Sequence, residues 1–208
     1  MIIFDLDGTL WDSAENVAVS WNHVAEQEGK PICVTAEDIH RVMGMTMEEI
    51  ANTLMAEFDV EMRSDIFNKC SEYEIEYLMQ HGGQLFEGVR ETLEKLHDDG
   101  YKLAIVTNGQ ANYVSAFMKS MNMEHLFCDY EEWGRTFNSK ADNIKLVMAR
   151  QGETNAVYVG DIQNDANSAA EAGIPCISAE YGFGHIENPI ARLEKFCDII
   201  EVIKSIKC

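Results

Sequence analysis

The chain has 208 residues, 46% of them apolar and 25% charged, which suits one large or two small globular domains and argues against a disordered or low-complexity polypeptide. Acidic residues outnumber basic ones 36 to 16, a formal net charge of −20, with no basic stripe of the kind a nucleic-acid binder needs. No apolar run approaches the roughly 20 residues that cross a bilayer, and the opening MIIFDLDGTL lacks the regions of a signal peptide, so a cytoplasmic protein with neither membrane nor nucleic-acid partners is expected.

In chain order, Ile2–Asp5 is a short apolar run ending in an acid and reads as a buried strand. Helical periodicity then covers 14–28, 36–43, 46–57 and 62–80, without a strand-like run among them. Thr35-Ala-Glu-Asp38 and Thr46-Met-Glu-Glu49 are N-cap signals, the second with Glu at the capping-box position, and Gly44 separates two of these helices. A further helix at 88–99 stops at Gly100 and feeds the apolar run Lys102–Val106. A weaker run near Phe127, then Ala156–Val159 and Cys176–Ser178, alternate with helical crossovers. That alternation predicts an α/β fold with a doubly wound parallel sheet. About 100 residues separate the first strand from the second, far more than one crossover needs, so a helical domain of about 70 residues is inserted there. The division is residues 1–13 and 84–208 for the core and 14–83 for the insert.

Six cysteines (33, 70, 128, 176, 197, 208) show no paired spacing and read as buried or partly buried free thiols; six scattered histidines offer no zinc pattern. The acidic run Asp129-Tyr-Glu-Glu132 reads as solvated surface. A body this acidic repels anionic substrates at long range, so a site for one must supply local positive charge.

The chemistry-bearing residues fall at strand ends. Asp5 and Asp7 flank Leu6 where the first strand exits, and side chains two apart in a strand point the same way. Thr107-Asn108-Gly109 ends the strand at Leu103–Val106, Lys140 precedes a helix over Asp142–Arg150, and Gly160-Asp161 closes Ala156–Val159 with Asp165 four residues on. Ligands of open parallel sheets bind at the carboxyl ends of strands. A hydroxyl, an ammonium and four carboxylates thus meet around one crevice.

The string Asp5-Leu-Asp7-Gly-Thr9-Leu, followed by Thr107-Asn108, Lys140 and Gly160-Asp161-x-x-x-Asp165, resembles the haloacid dehalogenase superfamily in order and spacing. The inserted helical segment resembles its phosphoglycolate-phosphatase-like and β-phosphoglucomutase-like members, in which that segment forms a cap. The resemblance implies a Mg²⁺-dependent phosphatase acting on a small phosphorylated metabolite, such as phosphoglycolate or a sugar or nucleotide monophosphate, through an aspartyl-phosphate. Asp5 would be the nucleophile, and Asp7 the acid that protonates the leaving oxygen and later deprotonates water. Crowding by Asp5 would help keep Asp7 protonated. Thr107, Asn108 and Gly109 would hold phosphoryl oxygens, and Lys140 would neutralise charge, with Lys145 as the fallback lysine because Lys140-Ala replaces the more usual Lys-Pro. Asp5, Asp161, Asp165 and Asp7 (the last through its carbonyl) would bind Mg²⁺, hard oxygen ligands without His or Cys.

Two alternatives share these motifs in whole or part. A β-phosphoglucomutase-like phosphomutase, like a phosphonatase, carries a cation shortly after the glycine of the cap loop, where this chain has Gly44-Met45-Thr46-Met47. A non-enzymatic phospho-receiver lacks the inserted helices and the acid at Asp7. The insert is itself acidic: residues 14–84 hold four basic residues (Lys30, Arg41, Arg63, Lys69) against fourteen acidic ones. Arg41, three residues before Gly44, is a candidate for a substrate carboxylate or second phosphate, or else an exposed partner of Glu37. Met43, Met45 and Met47 are candidates for an apolar lid. Trp11 and Trp21 read as packing residues, and Tyr181-Gly-Phe-Gly184 resembles a family loop edging the site. The chain is expected to act as a monomer or homodimer.

Overall fold

The computed structural model describes residues 1–30 and 32–206, which leaves Cys208 outside the described residues. In chain order, β1 (Ile2–Phe4) leads through β2 (Trp11–Asp12) into α1 (Ala14–Gln27), α2 (Ala36–Val42), α3 (Met47–Leu54) and α4 (Val60–His81). The chain returns in β3 (Gln84–Leu85), which pairs antiparallel with β2. Then come α5 (Val89–Asp98), β4 (Leu103–Thr107), α6 (Tyr113–Ser120), β5 (Asp129–Glu132), the single turn α7 (Trp133–Thr136) and α8 (Lys140–Gln151). β6 (Val157–Gly160), α9 (Gln163–Ala172), β7 (Cys176–Ala179), β8 (Ala191–Leu193) and α10 (Ile199–Ile206) complete it.

Six strands form one parallel sheet in the order β5-β4-β1-β6-β7-β8. β1 lies at its centre, so its side chains are buried on both faces, which explains an unbroken apolar run where a half-exposed strand would alternate. Ile2 and Phe4 join one core with Leu93 of α5, Phe117 of α6 and Ile203 of α10; Ile3 points the other way, with Ile144 and Val147 of α8 and Ala169 of α9. Each such side chain fully removed from water contributes about 1.5–3 kcal/mol.

The helices expected at 14–28, 36–43, 46–57 and 62–80 are α1 to α4, with ends moved by one to three residues. Thr35 and Thr46 both close reciprocal capping boxes, with Asp38 and Glu49. α1 packs on α4, and α4 reaches α6 of the sheet layer, so the helical segment is seated on the rest of the chain. The β2–β3 ribbon holds together the two crossings into that segment. Two- and three-residue strands such as β2, β3 and β8 carry too little periodicity to be read from sequence.

The acidic run at 129–132 is not solvated surface. It is β5, with Glu131 and Glu132 buried. The Glu132 carboxylate accepts from the N–H groups of Asn112 and Val114 at 2.6 and 2.9 Å, closing the start of α6, and Arg150 engages Glu131 and Asp129 at 2.7 and 2.8 Å. The described cysteines are free thiols, but Cys33, Cys128 and Cys197 are exposed, and only Cys70 and Cys176 are buried as expected.

Candidate active site

The carboxyl ends of β1, β4 and β6 converge with the start of α8. β1 delivers Asp5, and a turn at Gly8, held at φ 78°, carries the chain past Asp7. A Cβ on Gly8 would overlap the Asp161 carboxylate, and one on Gly182 would overlap both Asp161 and the Gly8 carbonyl, so both close approaches require glycine. Thr107 is the last residue of β4, and its Oγ1 accepts from the Gly109 N–H at 3.3 Å. Lys140 is the first residue of α8, whose N-cap Ser139 accepts from the Asp142 N–H at 3.1 Å; the helix starts two residues earlier than expected because that serine does the capping.

Lys140 is buried with its Nζ 3.0 Å from Asp5 Oδ1 and 2.7 Å from Asp165 Oδ1. The other Asp165 oxygen accepts from the N–H groups of Asp161 and Ile162 at 3.1 and 3.2 Å. Asp161 is held by the Phe183 N–H at 2.8 Å. One oxygen from each of Asp5, Asp161 and Asp165 lies within 4.8 Å of the others. Burial raises the pKa of Asp5 and Asp161, and the charge of Asp165 adds to this. Burial alone would lower the Lys140 pKa, yet the charges of Asp165 and Asp5 reverse this and raise it. Three carboxylates against one ammonium leave a formal charge of −2, and an all-oxygen donor set of that charge fits a hard divalent cation such as Mg²⁺.

Asp7 faces elsewhere. Its Oδ1 lies 2.8 Å from Tyr113 Oη and 3.1 Å from Ser13 Oγ, and the two hydroxyls are 2.7 Å apart, so the three oxygens share their protons around a triangle of hydrogen-bond contacts. Burial pushes Asp7 up to about 7, opposed by the Tyr113 hydrogen bond; the Asp5 charge adds to the rise but is a lesser cause than burial. Asp7 therefore stands outside the cluster of three carboxylates as far as its side chain is concerned.

Above these groups a cavity extends beneath the helical segment. Asp5, Asp7, Thr107, Asn108 and Gly109 line one end. The Asn108 side-chain amide donates to the Gly44 carbonyl at 3.0 Å, which ties the loop between α2 and α3 to the end of β4.

A haloacid dehalogenase-like hydrolase model matches residues 2–179, which span Asp5, Asp7, Thr107, Asn108, Lys140, Asp161 and Asp165. The chain belongs to this family. Among relatives of this haloacid dehalogenase-like hydrolase, the phosphoglycolate phosphatase of Aliivibrio fischeri is 30% identical over 90% of this chain and 86% of its own length. That of Vibrio cholerae is 31% identical over 93% and 89%. The crystal structure of a predicted phosphoglycolate phosphatase from Haemophilus somnus superposes with a TM-score of 0.84 at 24% identity, covering 98% of this chain and 97% of that one. Among the described residues, no helix of the hydrolase is long and apolar enough to cross a membrane.

Two lysine and arginine expectations need correction. Arg41 is not brought to the cavity; its side chain is 68% exposed and its guanidinium engages Asp38 one turn back on α2, rather than Glu37. Lys145 is exposed and 3.4 Å from Asp142, so among the described lysines Lys140, and not the fallback, pairs with Asp5 and Asp165. The structure adds Tyr113, Ser13 and Glu74, none of which carries a local sequence signal. Trp21 does more than pack: its indole N–H donates to Glu74 Oε2 at 2.6 Å. In the loop at 181–184, Tyr181 donates to the Thr9 carbonyl at 2.8 Å while the Phe183 ring lies tilted against His40, centroids 4.5 Å apart, so the loop touches both the strand ends and α2.

Proposed function

We propose that this phosphatase of the haloacid dehalogenase-like hydrolases cleaves the phosphomonoester of a small metabolite in two steps at Asp5. The observation that carries this reading is the pairing of Asp5, bound to buried Lys140, with Asp7, held apart by Tyr113 and Ser13 at the floor of a covered cavity. Lys140 keeps Asp5 ionised and fixes its Oδ1. An Asp5 oxygen attacks phosphorus, the P–O bond to the alcohol breaks, and Asp7 gives its proton to the departing oxygen. Water then attacks the aspartyl-phosphate, Asp7 takes a proton from it, and orthophosphate leaves with Asp5 restored. Both hydroxyl partners of Asp7 bind Oδ1, so Oδ2 remains for this proton traffic.

Thr107, Asn108 and Gly109 are the groups placed to receive phosphoryl oxygens. Asp5, Asp161 and Asp165, with the Asp7 carbonyl, would hold Mg²⁺, which supplies positive charge to the phosphoryl oxygens. Residues 14–83 act as a cap over the core of 1–13 and 84–208, excluding bulk water from the first step. The methionines after Gly44 supply no cation, which favours a hydrolase over a mutase.

Phosphate release from a panel of phosphorylated metabolites, with EDTA and Asp5→Asn as controls, tests this reading. Strong release with wild type and Mg²⁺, abolished by both controls while Asp5→Asn keeps the wild-type circular dichroism spectrum, is the expected result. Activity retained in Asp5→Asn would refute the nucleophile, and a long-lived phosphorylated Asp5 would point to a receiver instead.

A further inference from the structure

The cavity has two chemically different ends. The far end, built by the helical segment, is apolar: Val17, Trp21, Ile39, Val42, Met43 and Ile50 line it. No lysine, arginine or histidine is among the described residues lining the cavity. Among the described residues, the only ionisable side chain that the helical segment adds to the cavity lining is Glu74 of α4, 5% exposed and close enough to Asp7 and Tyr113 for its charge to act on both. Its two oxygens are spread between two donors, the Trp21 indole N–H at 2.6 Å and the Gln110 side-chain amide at 2.9 Å. Each carboxylate oxygen offers about two acceptor sites, so one on each remains for a ligand. Trp21 and Gln110 come from α1 and the β4–α6 loop, and their grip fixes the carboxylate at the cavity wall.

A phosphoryl group seated over Asp5 directs the rest of the ester toward this apolar lining and past Glu74. A leaving group carrying its own carboxylate or phosphate would meet a buried carboxylate and an apolar wall, with no cation to pair with; like-charge juxtaposition in such surroundings opposes binding strongly. An O–H or N–H donor would instead find an acceptor already oriented.

We propose, building on the phosphatase reading above, that Glu74 is a specificity-determining residue. It selects phosphomonoesters whose leaving group has an apolar body and an O–H or N–H donor, and it disfavours leaving groups with a second anion, phosphoglycolate included. The hydrolase thereby differs in substrate class from the phosphoglycolate phosphatases it resembles at about 30% identity.

Burial holds the Glu74 pKa at about 7, against the hydrogen bonds from Trp21 and Gln110, so the comparison belongs at pH 8, where the carboxylate is charged. The sharpest pair of substrates is 2-hydroxyethyl phosphate and phosphoglycolate, which differ by a hydroxymethyl in place of a carboxylate; phenyl phosphate and a nucleoside 5′-monophosphate extend the series. The expected result is that wild type turns over 2-hydroxyethyl phosphate or the nucleotide with a kcat/KM about tenfold or more above that for phosphoglycolate. Glu74→Gln narrows this ratio about tenfold, mainly through KM for phosphoglycolate. Phosphoglycolate leading the series, or Glu74→Gln lowering every substrate by one common factor, would overturn the proposal and leave the phosphatase reading intact. Absence of Asp5-dependent release from every ester would overturn both. The wild-type ranking is decisive on its own if Glu74→Gln does not fold.

Discussion

Asp5 and Asp7 are two residues apart in sequence but have different surroundings. Asp5 has an ammonium partner at 3.0 Å and Asp7 has two hydroxyls, so only Asp7 lacks a neighbouring positive charge to hold it ionised. Asp7→Asn should therefore lower kcat by about 10²–10⁴ for poor leaving groups such as alkoxides, and by much less for p-nitrophenolate; equal losses on both would remove its role as acid. Glu74 yields a prediction about stability. Its pKa rises on folding from an ordinary 4.5 to about 7 through burial, so the folded state binds the proton more tightly. Between those values stability falls as pH rises, and above about 7 the full penalty stands. Glu74→Gln removes the ionisation but leaves one of the two donors facing an amide N–H, so its stability relative to wild type should rise by on the order of 2 kcal/mol from pH 5 to pH 8. Urea denaturation of both proteins at the two pH values measures this; a pH-independent difference would contradict it.

At the scale of elements, the junction between the α2–α3 loop and the strand ends is narrow and specific. Gly44 sits at φ 80°, its carbonyl accepts from Asn108, and a Cβ there would run into the Ile162 side chain. Gly44→Ala should add about 1–2 kcal/mol of backbone strain where this loop is tied to the end of β4. The expected result is a roughly tenfold loss in kcat/KM with a shift of only a few degrees in Tm, read by steady-state kinetics beside thermal melting. A large Tm drop with unchanged kinetics would show that the loop matters for folding alone. Local elements were legible because their signals are local: the boxes at Thr35 and Thr46 and the long apolar periodicity of α1 need no distant partner. β5 does not look buried in the sequence because Glu131 and Glu132 are charged, and the approach of α6, Arg150 and Arg135 is what makes their burial tolerable.

Over the whole molecule, a body of net charge −20 concentrates three carboxylates and a single lysine at one sheet switch point. A divalent cation would relieve the repulsion among Asp5, Asp161 and Asp165, so it should bind the folded state and not the unfolded chain. Mg²⁺ at about a hundred times its Kd should stabilise the protein by about 2.7 kcal/mol, a rise of several degrees in Tm that EDTA reverses. Asp161→Asn should abolish the shift; an unchanged shift in that variant would place the cation elsewhere.

The sequence by itself determined the strand ends and the order of Asp5, Asp7, Thr107, Lys140, Asp161 and Asp165 along them, because a parallel sheet turns residues distant in sequence into neighbours by a simple rule. It also determined that about 70 helical residues intervene after β1. Tertiary structure alone decided which side chains of those helices face the strand ends. Arg41 and Glu74 are both charged residues on amphipathic helices, and nothing local distinguishes them. The packing of α1 against α4 and of α4 against α6 turns Glu74 inward to Trp21 and Gln110, while α2 presents Arg41 to solvent and Asp38. The rotation of each helix about its axis is set by the sum of its contacts with its neighbours, so the anion at the substrate end of the cavity emerges only when the helices are assembled.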